Sequence, residues 1–194
     1  TVEAAHEAWT NEVFGVAMRD FAAAAVKAEK GVLPIGRAGQ WRQRLILLEG
    51  GDDCLQKDVS DLVQSMGSAA EVKTFLQELR KGYAEALATF RLCRSAAKHN
   101  GDLVDFWIEG VELHDFYAEF LLGALVGNLS ESAPDLYNRL LVLVSETRKL
   151  FARTYTSVSV EDEILWRYGY HLEYLGRLMI GRARENVKKQ DILP

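Results

Sequence analysis

"RLILLEGGDD", residues 44 to 53, runs apolar to Leu48, stops on two glycines and resumes with two aspartates. A phosphate-gripping loop would need a strand before the glycines. A Walker-type loop would add Gly-Lys-Ser/Thr, which is absent. The stretch instead reads as a hinge between two helices. Gly50 and Gly51 close the first through the left-handed conformation that glycine adopts freely, and Asp52 or Asp53 accepts the free N–H groups of the next. That choice makes the chain all-helical.

The same punctuation recurs along the chain and divides it into about seven helices. The first spans residues 2 to 30 and stops at Gly31. A connector, "GVLPIGRAG", leads to a short helix through "QWRQRLILLE". The third, "CLQKDVSDLVQSM", ends at Gly67, and Ser68 with Glu71 forms an S-x-x-E capping box for a long helix to about His99. Asn100 or Gly101 turns the chain and Asp102 caps a fifth helix over 103 to 127. Ser132 with Pro134 in the first turn starts the sixth, which fades at the β-branched "TYTSVSV". Ser159 with Asp162 opens the last, whose end is basic at Arg182, Arg184, Lys188 and Lys189. No stretch alternates with period two for long enough to be a strand. The expected fold is all-α, one domain over 1–194, with short helical hairpins in 1–67 and longer helices in 68–194.

The net charge of −5 argues against a protein built to hold phosphate backbones, so no nucleic-acid partner is expected. No run approaches the roughly 20 apolar residues that cross a bilayer. Cys54 and Cys93 lack a CxxC partner and read as buried thiols of a reducing compartment. The sequence begins at Thr1, consistent with trimming or with removal of a targeting peptide.

Chemistry-bearing patterns are few. Glu3 and His6 make the only E-x-x-H pair, whereas a ferritin-like di-iron centre takes two such pairs and further glutamates. "RLILLEGG" and "ELHDFYAE" resemble segments of bacterioferritin, but the ligands do not follow, so no cofactor is expected and a degenerate ferritin-like bundle is the alternative. Asp105, Glu109, Glu112, Asp115 and Glu119 trace a stripe that reads as a solvated polar face, or else as a surface for a hard cation or a basic partner. Leu103, Phe106, Trp107, Leu113, Tyr117, Phe120 and Leu121 form the opposite, core-facing side. No G-x-S-x-G elbow accompanies the serines and histidines. Trp166, Tyr170 and Tyr174 form one packing seam. Gly169, Gly176 and Gly181 beside it point to a close helix-on-helix approach, within the chain or with a partner.

Residues 38 to 66 have the size of the helical hairpins in pentatricopeptide and tetratricopeptide repeats, although no 34- or 35-residue period recurs. "AAHEAWTNEV" and "GQWRQRLILLEGGDD" resemble the eighteen-kilodalton helical subunit peculiar to the mitochondrial F1-ATPase of euglenozoans, over residues 1 to 75. The resemblance implies a pentatricopeptide-like fold, with a bundle of long helices as the alternative. It also implies a non-catalytic structural subunit attached to the F1 head through the alpha subunit, on the matrix side and peripheral to the inner membrane. Without it the location would read as cytoplasmic. An RNA-binding helical array is the further alternative. Trp41, with Arg42 and Arg44 beside it on the short second helix, supplies the residue types that most often anchor protein interfaces and is the expected partner-binding site.

Overall fold

A computed structural model describes residues 2–29, 51–154 and 159–190. These residues form seven α-helices: α1 (Val2–Phe14), α2 (Phe21–Glu29), α3 (Gly51–Met66), α4 (Ala69–Ala96), α5 (Gly101–Val126), α6 (Leu129–Thr154) and α7 (Val160–Gln190). No strand occurs among them. The all-α class follows directly.

The expected single helix over 2–30 is two helices. The chain turns at Gly15, which sits at φ 72°, and the freed backbone groups are taken up locally. Gly15 N–H donates to the Asn11 carbonyl at 3.0 Å. The buried Thr10 hydroxyl accepts from Met18 N–H at 2.8 Å, and Phe21 N–H donates to the Met18 carbonyl to begin α2. Periodicity conceals the break because Trp9, Val13, Ala17 and Phe21 keep a helical spacing of four across it. The fold-back instead gathers aromatic rings. Phe21 lies 5.5 Å from Phe14, 5.1 Å from Phe90 of α4 and 5.9 Å from Trp107 of α5.

The link between α4 and α5 closes the end of α1. Lys98 N–H donates to the Phe14 carbonyl at 2.9 Å, and Asn100 Nδ2 donates to the Val13 carbonyl at 2.7 Å. Asn100 takes the left-handed conformation, φ 53°, as the turn there requires. Asp102 then falls inside the first turn of α5 rather than at its cap.

The expected hinge at 50–51 lies at the edge of the described residues. Gly50 lies outside the described residues, and α3 already includes Gly51, so Asp52 and Asp53 belong to its first turn instead of preceding it. The Ser68 cap forms as expected: its hydroxyl accepts from Glu71 N–H at 3.2 Å and donates to Glu71 Oε2 at 2.9 Å. The sixth helix begins at Leu129, before the expected Ser132, so Pro134 lies inside it. Proline leaves the Ser130 carbonyl without its usual helical donor. Arg182 of α7 supplies one, reaching the Ser130 and Glu131 carbonyls at 3.4 and 3.3 Å.

Helices α4 to α7 are 28, 26, 26 and 31 residues long, each about twice the length that either helix of a 34- or 35-residue hairpin can have. Consecutive members run antiparallel. Arg94 meets Asp105 and Arg80 meets Glu119 across α4 and α5. Arg153 meets Asp105 and Arg139 meets Glu119 across α5 and α6. Helices α4 to α7 thus have the geometry of a long-helix bundle. Helices α2 and α3 pack on α4, so α5 is enclosed and buries residues around most of its circumference, among them Val104, Val111, Phe116, Tyr117 and Leu121. Such all-round burial marks a helix at the centre of a core.

Gly15→Ala tests the fold-back. A Cβ there would lie 2.5 Å from His99 Cε1 on a left-handed backbone. The expected cost is about 1–2 kcal/mol or more, with a melting temperature lower by roughly 2–4 °C per kcal/mol for a chain of this size. An unchanged melt would mean that the turn is not held there.

Candidate functional site

Helix α5 carries Asp102, Asp105, Glu109, Glu112, Asp115 and Glu119, and no lysine or arginine. Its position at the centre of the bundle decides what these carboxylates can do. Burying an unpaired carboxylate is expensive, so those drawn inward need a cation on another helix.

All six have one, and every cation is an arginine. Arg153 of α6 approaches Asp102 at 3.9 Å and Asp105 at 3.8 Å, while Arg94 of α4 holds Asp105 at 2.8 Å. Arg91 holds Glu112 at 2.7 Å. Arg80 of α4 reaches Asp115 and Glu119, both at 3.0 Å. From the other side, Arg139 of α6 bonds Asp115 at 2.5 Å and also Glu119. The last four side chains form a closed ring of two anions and two cations. A planar guanidinium can address two carboxylates at once, whereas an ammonium behaves as a point charge.

Glu109 is the most enclosed, with 8% of its side chain exposed. Its Oε1 accepts from the Tyr168 hydroxyl at 2.8 Å and from Thr147 Oγ1 at 3.2 Å. Arg167 Nη1 lies 3.2 Å from both of its oxygens. Tyr168 and Thr147 are themselves 2.7 Å apart. The Arg167 guanidinium lies over the Phe151 ring, 4.8 Å from its centre, and its backbone carbonyl accepts from the Tyr117 hydroxyl. Burial alone would lower the Arg167 pKa, but Glu109, Tyr168 and Glu163 together outweigh it and the group is held above its ordinary value. Burial, and then the Glu109 carboxylate, push the Tyr168 phenol well above its usual range. A carboxylate accepting from three partners has little capacity left for a ligand. Chemically the cluster is a clamp joining α5, α6 and α7.

The expected solvated acidic face is therefore corrected: the stripe faces neighbouring helices and their arginines. The carboxylates that a ferritin-like centre would use are engaged in the same pairs. Among the described residues, no group of three or more His, Cys, Asp or Glu is placed to hold a metal ion. His6 is exposed on α1, and the side chain of Glu3 lies outside the description. Of the expected core face, Leu113, Tyr117, Phe120 and Leu121 are buried, whereas Leu103 is 47% exposed. Cys93 is a buried free thiol whose pKa is raised by burial and by Asp20. Cys54 and the side chain of Trp166 lie outside the described side chains. So do Trp41, Arg42 and Arg44, the expected partner-binding residues.

Two openings accompany the clamp. His171 is fully buried among aromatic rings, 4.9 Å from both Tyr117 and Phe120, beside a small void also bordered by Leu55 and Asp58. A wider cleft of about 240 Å³ lies between α2 and α5, lined by Ala28, Glu29, Phe106, Trp107, Gly110, Val111 and His114. No described helix is long and apolar enough to cross a membrane. No protein family, curated protein or solved structure matches the chain.

The missed signal was in the composition of α5. Six acids without a basic residue, on a helix otherwise apolar, require counter-charges from outside it.

The buried phenols make a pH dependence. Tyr83 is fully buried, and burial together with Asp115 pushes its pKa up to about 12 from 10.0; Tyr168 is also raised. The folded chain keeps these protons to higher pH than the unfolded chain. Their contribution is complete below about pH 10 and is lost as pH rises through the folded values, by up to about 1.4 kcal/mol per pH unit for each phenol. Denaturant titrations between pH 9 and 12 should show this decline, flattened in Tyr83→Phe. A wild-type profile that stays level would contradict the burial of both groups.

Proposed function

We propose that this chain is a non-catalytic structural subunit of a larger protein assembly. One observation supports this most strongly: its polar and apolar side chains are allotted in an unusual way. The acids of the central helix are spent on internal arginine pairs, while large apolar side chains remain outward on α6 and α7. Val142 is 62% exposed, Leu165 70% and Ile180 56%. Outward apolar side chains mark protein interfaces where they share one face, as Leu165 and Ile180 do on α7.

The resemblance of residues 1 to 75 to the euglenozoan subunit nominates the assembly: the F1 head of a mitochondrial ATP synthase, contacted through its alpha subunit. The chain would then sit on the matrix side, peripheral to the inner membrane. The pentatricopeptide-like character of its N-terminal hairpins belongs to the same proposal, as does Trp41 with Arg42 and Arg44 as the contact.

Native electrophoresis of mitochondria from the source organism, solubilised in mild detergent, tests this. The chain is expected to migrate with the F1 alpha subunit and to cross-link to it. Migration wholly apart from F1 would reject the ATP synthase assignment.

A further inference from the structure

Leu165, Gly169, Leu172, Gly176 and Ile180 follow one another on α7 at spacings of four, three, four and four, which places them along one side of the helix. Leu165 and Ile180, at its two ends, are among the most exposed apolar side chains of the described residues. Among the described residues the glycines serve no packing need. A Cβ on Gly176 would meet nothing within 4 Å, and one on Gly169 would meet only Leu165 of its own helix. Glycine inside a helix nonetheless costs stability relative to alanine.

Leu172 packs partly against the core, and the other four positions read alike in both directions. Leu165 and Ile180 are equidistant from the midpoint between residues 172 and 173, and so are Gly169 and Gly176. Charge follows the same axis. The first turn of α7 carries Glu161, Asp162 and Glu163, and its second half carries Arg177, Arg182 and Arg184. Asp162 and Arg184 are exposed, stand almost equidistant from that midpoint, and take no part in the salt bridges among the described residues.

We propose that this face of α7 binds a second copy of the chain, with the two helices antiparallel about a two-fold axis at residues 172–173. Leu165 then meets Ile180 of the second copy, and glycine meets glycine, so the backbones approach closely. The acidic end of each helix lies against the basic end of the other. A parallel pairing would set acid against acid. A two-fold contact requires one patch complementary to itself, and this pattern of residues is. The proposal stands independently of the ATP synthase assignment, because it concerns the purified chain alone.

Sedimentation velocity on the full-length chain over a concentration series tests it. The wild type is expected to form a reversible dimer. Gly176→Leu should weaken dimerisation by about tenfold or more without lowering the melting temperature extrapolated to the monomer, since a Cβ there meets no described atom within 4 Å and leucine is the better helix former. Asp162→Arg and Arg184→Asp should each weaken the dimer, and the double reversal should restore it. A wild type that stays monomeric throughout would overturn the proposal, even if the face bound some other protein. A dimer indifferent to Gly176→Leu and to both charge reversals would overturn it equally.

Discussion

A helix with six carboxylates and no cation cannot sit at the centre of a bundle on hydrophobic burial alone. The apolar side chains of α5 draw it inward, at about 25 cal/mol per Å² of surface removed from water. Its acids oppose that burial unless they are paired. The arginines of α4, α6 and α7 resolve the conflict, and in doing so they limit how the helices can slide. Shifting α4 by one turn along α5 would separate Arg80 from both Asp115 and Glu119. The exposed members of the set, such as Arg91 with Glu112, contribute little to stability. Glu109 with Arg167, Tyr168 and Thr147 is different, because each partner lost would strand a buried polar group.

Much of this architecture was legible in the sequence. Ser68 with Glu71, the turn at Asn100, the stop at Gly127 and the cap at Ser159 act through backbone groups within a few residues, and such rules are local. The break in the first helix was not legible. Apolar spacing runs unbroken from Trp9 to Phe21, and a lone glycine in a helical pattern usually lies within a helix. What breaks the helix is tertiary: Lys98 and Asn100, distant in sequence, take the carbonyls of Phe14 and Val13. The early start of α6 has a similar origin, since Arg182 satisfies the backbone that Pro134 disrupts.

The acidic stripe shows the same division more sharply. Its spacing placed the carboxylates together, but spacing within one helix cannot say what lies opposite. Solvent, a cation, a partner and an intramolecular arginine all satisfy the same pattern. Only the antiparallel register of α4 and α6 selects among them. The glycines of α7 were readable as marks of close approach. The structure adds that no segment of the described chain makes that approach at Gly176.

The central claim is that buried charge pairing on α5 holds the bundle together, and a double-mutant cycle between Glu109 and Arg167 addresses it most directly. Arg167→Met leaves the carboxylate buried with its hydroxyl partners but without a cation, at an expected cost of about 3 kcal/mol. Adding Glu109→Leu removes the stranded charge, and Thr147 and Tyr168 can still bond each other. The double variant should therefore recover much of the loss, giving a coupling of about 1 kcal/mol or more in denaturant unfolding. Strictly additive effects, or an Arg167→Met variant as stable as the wild type, would contradict the account.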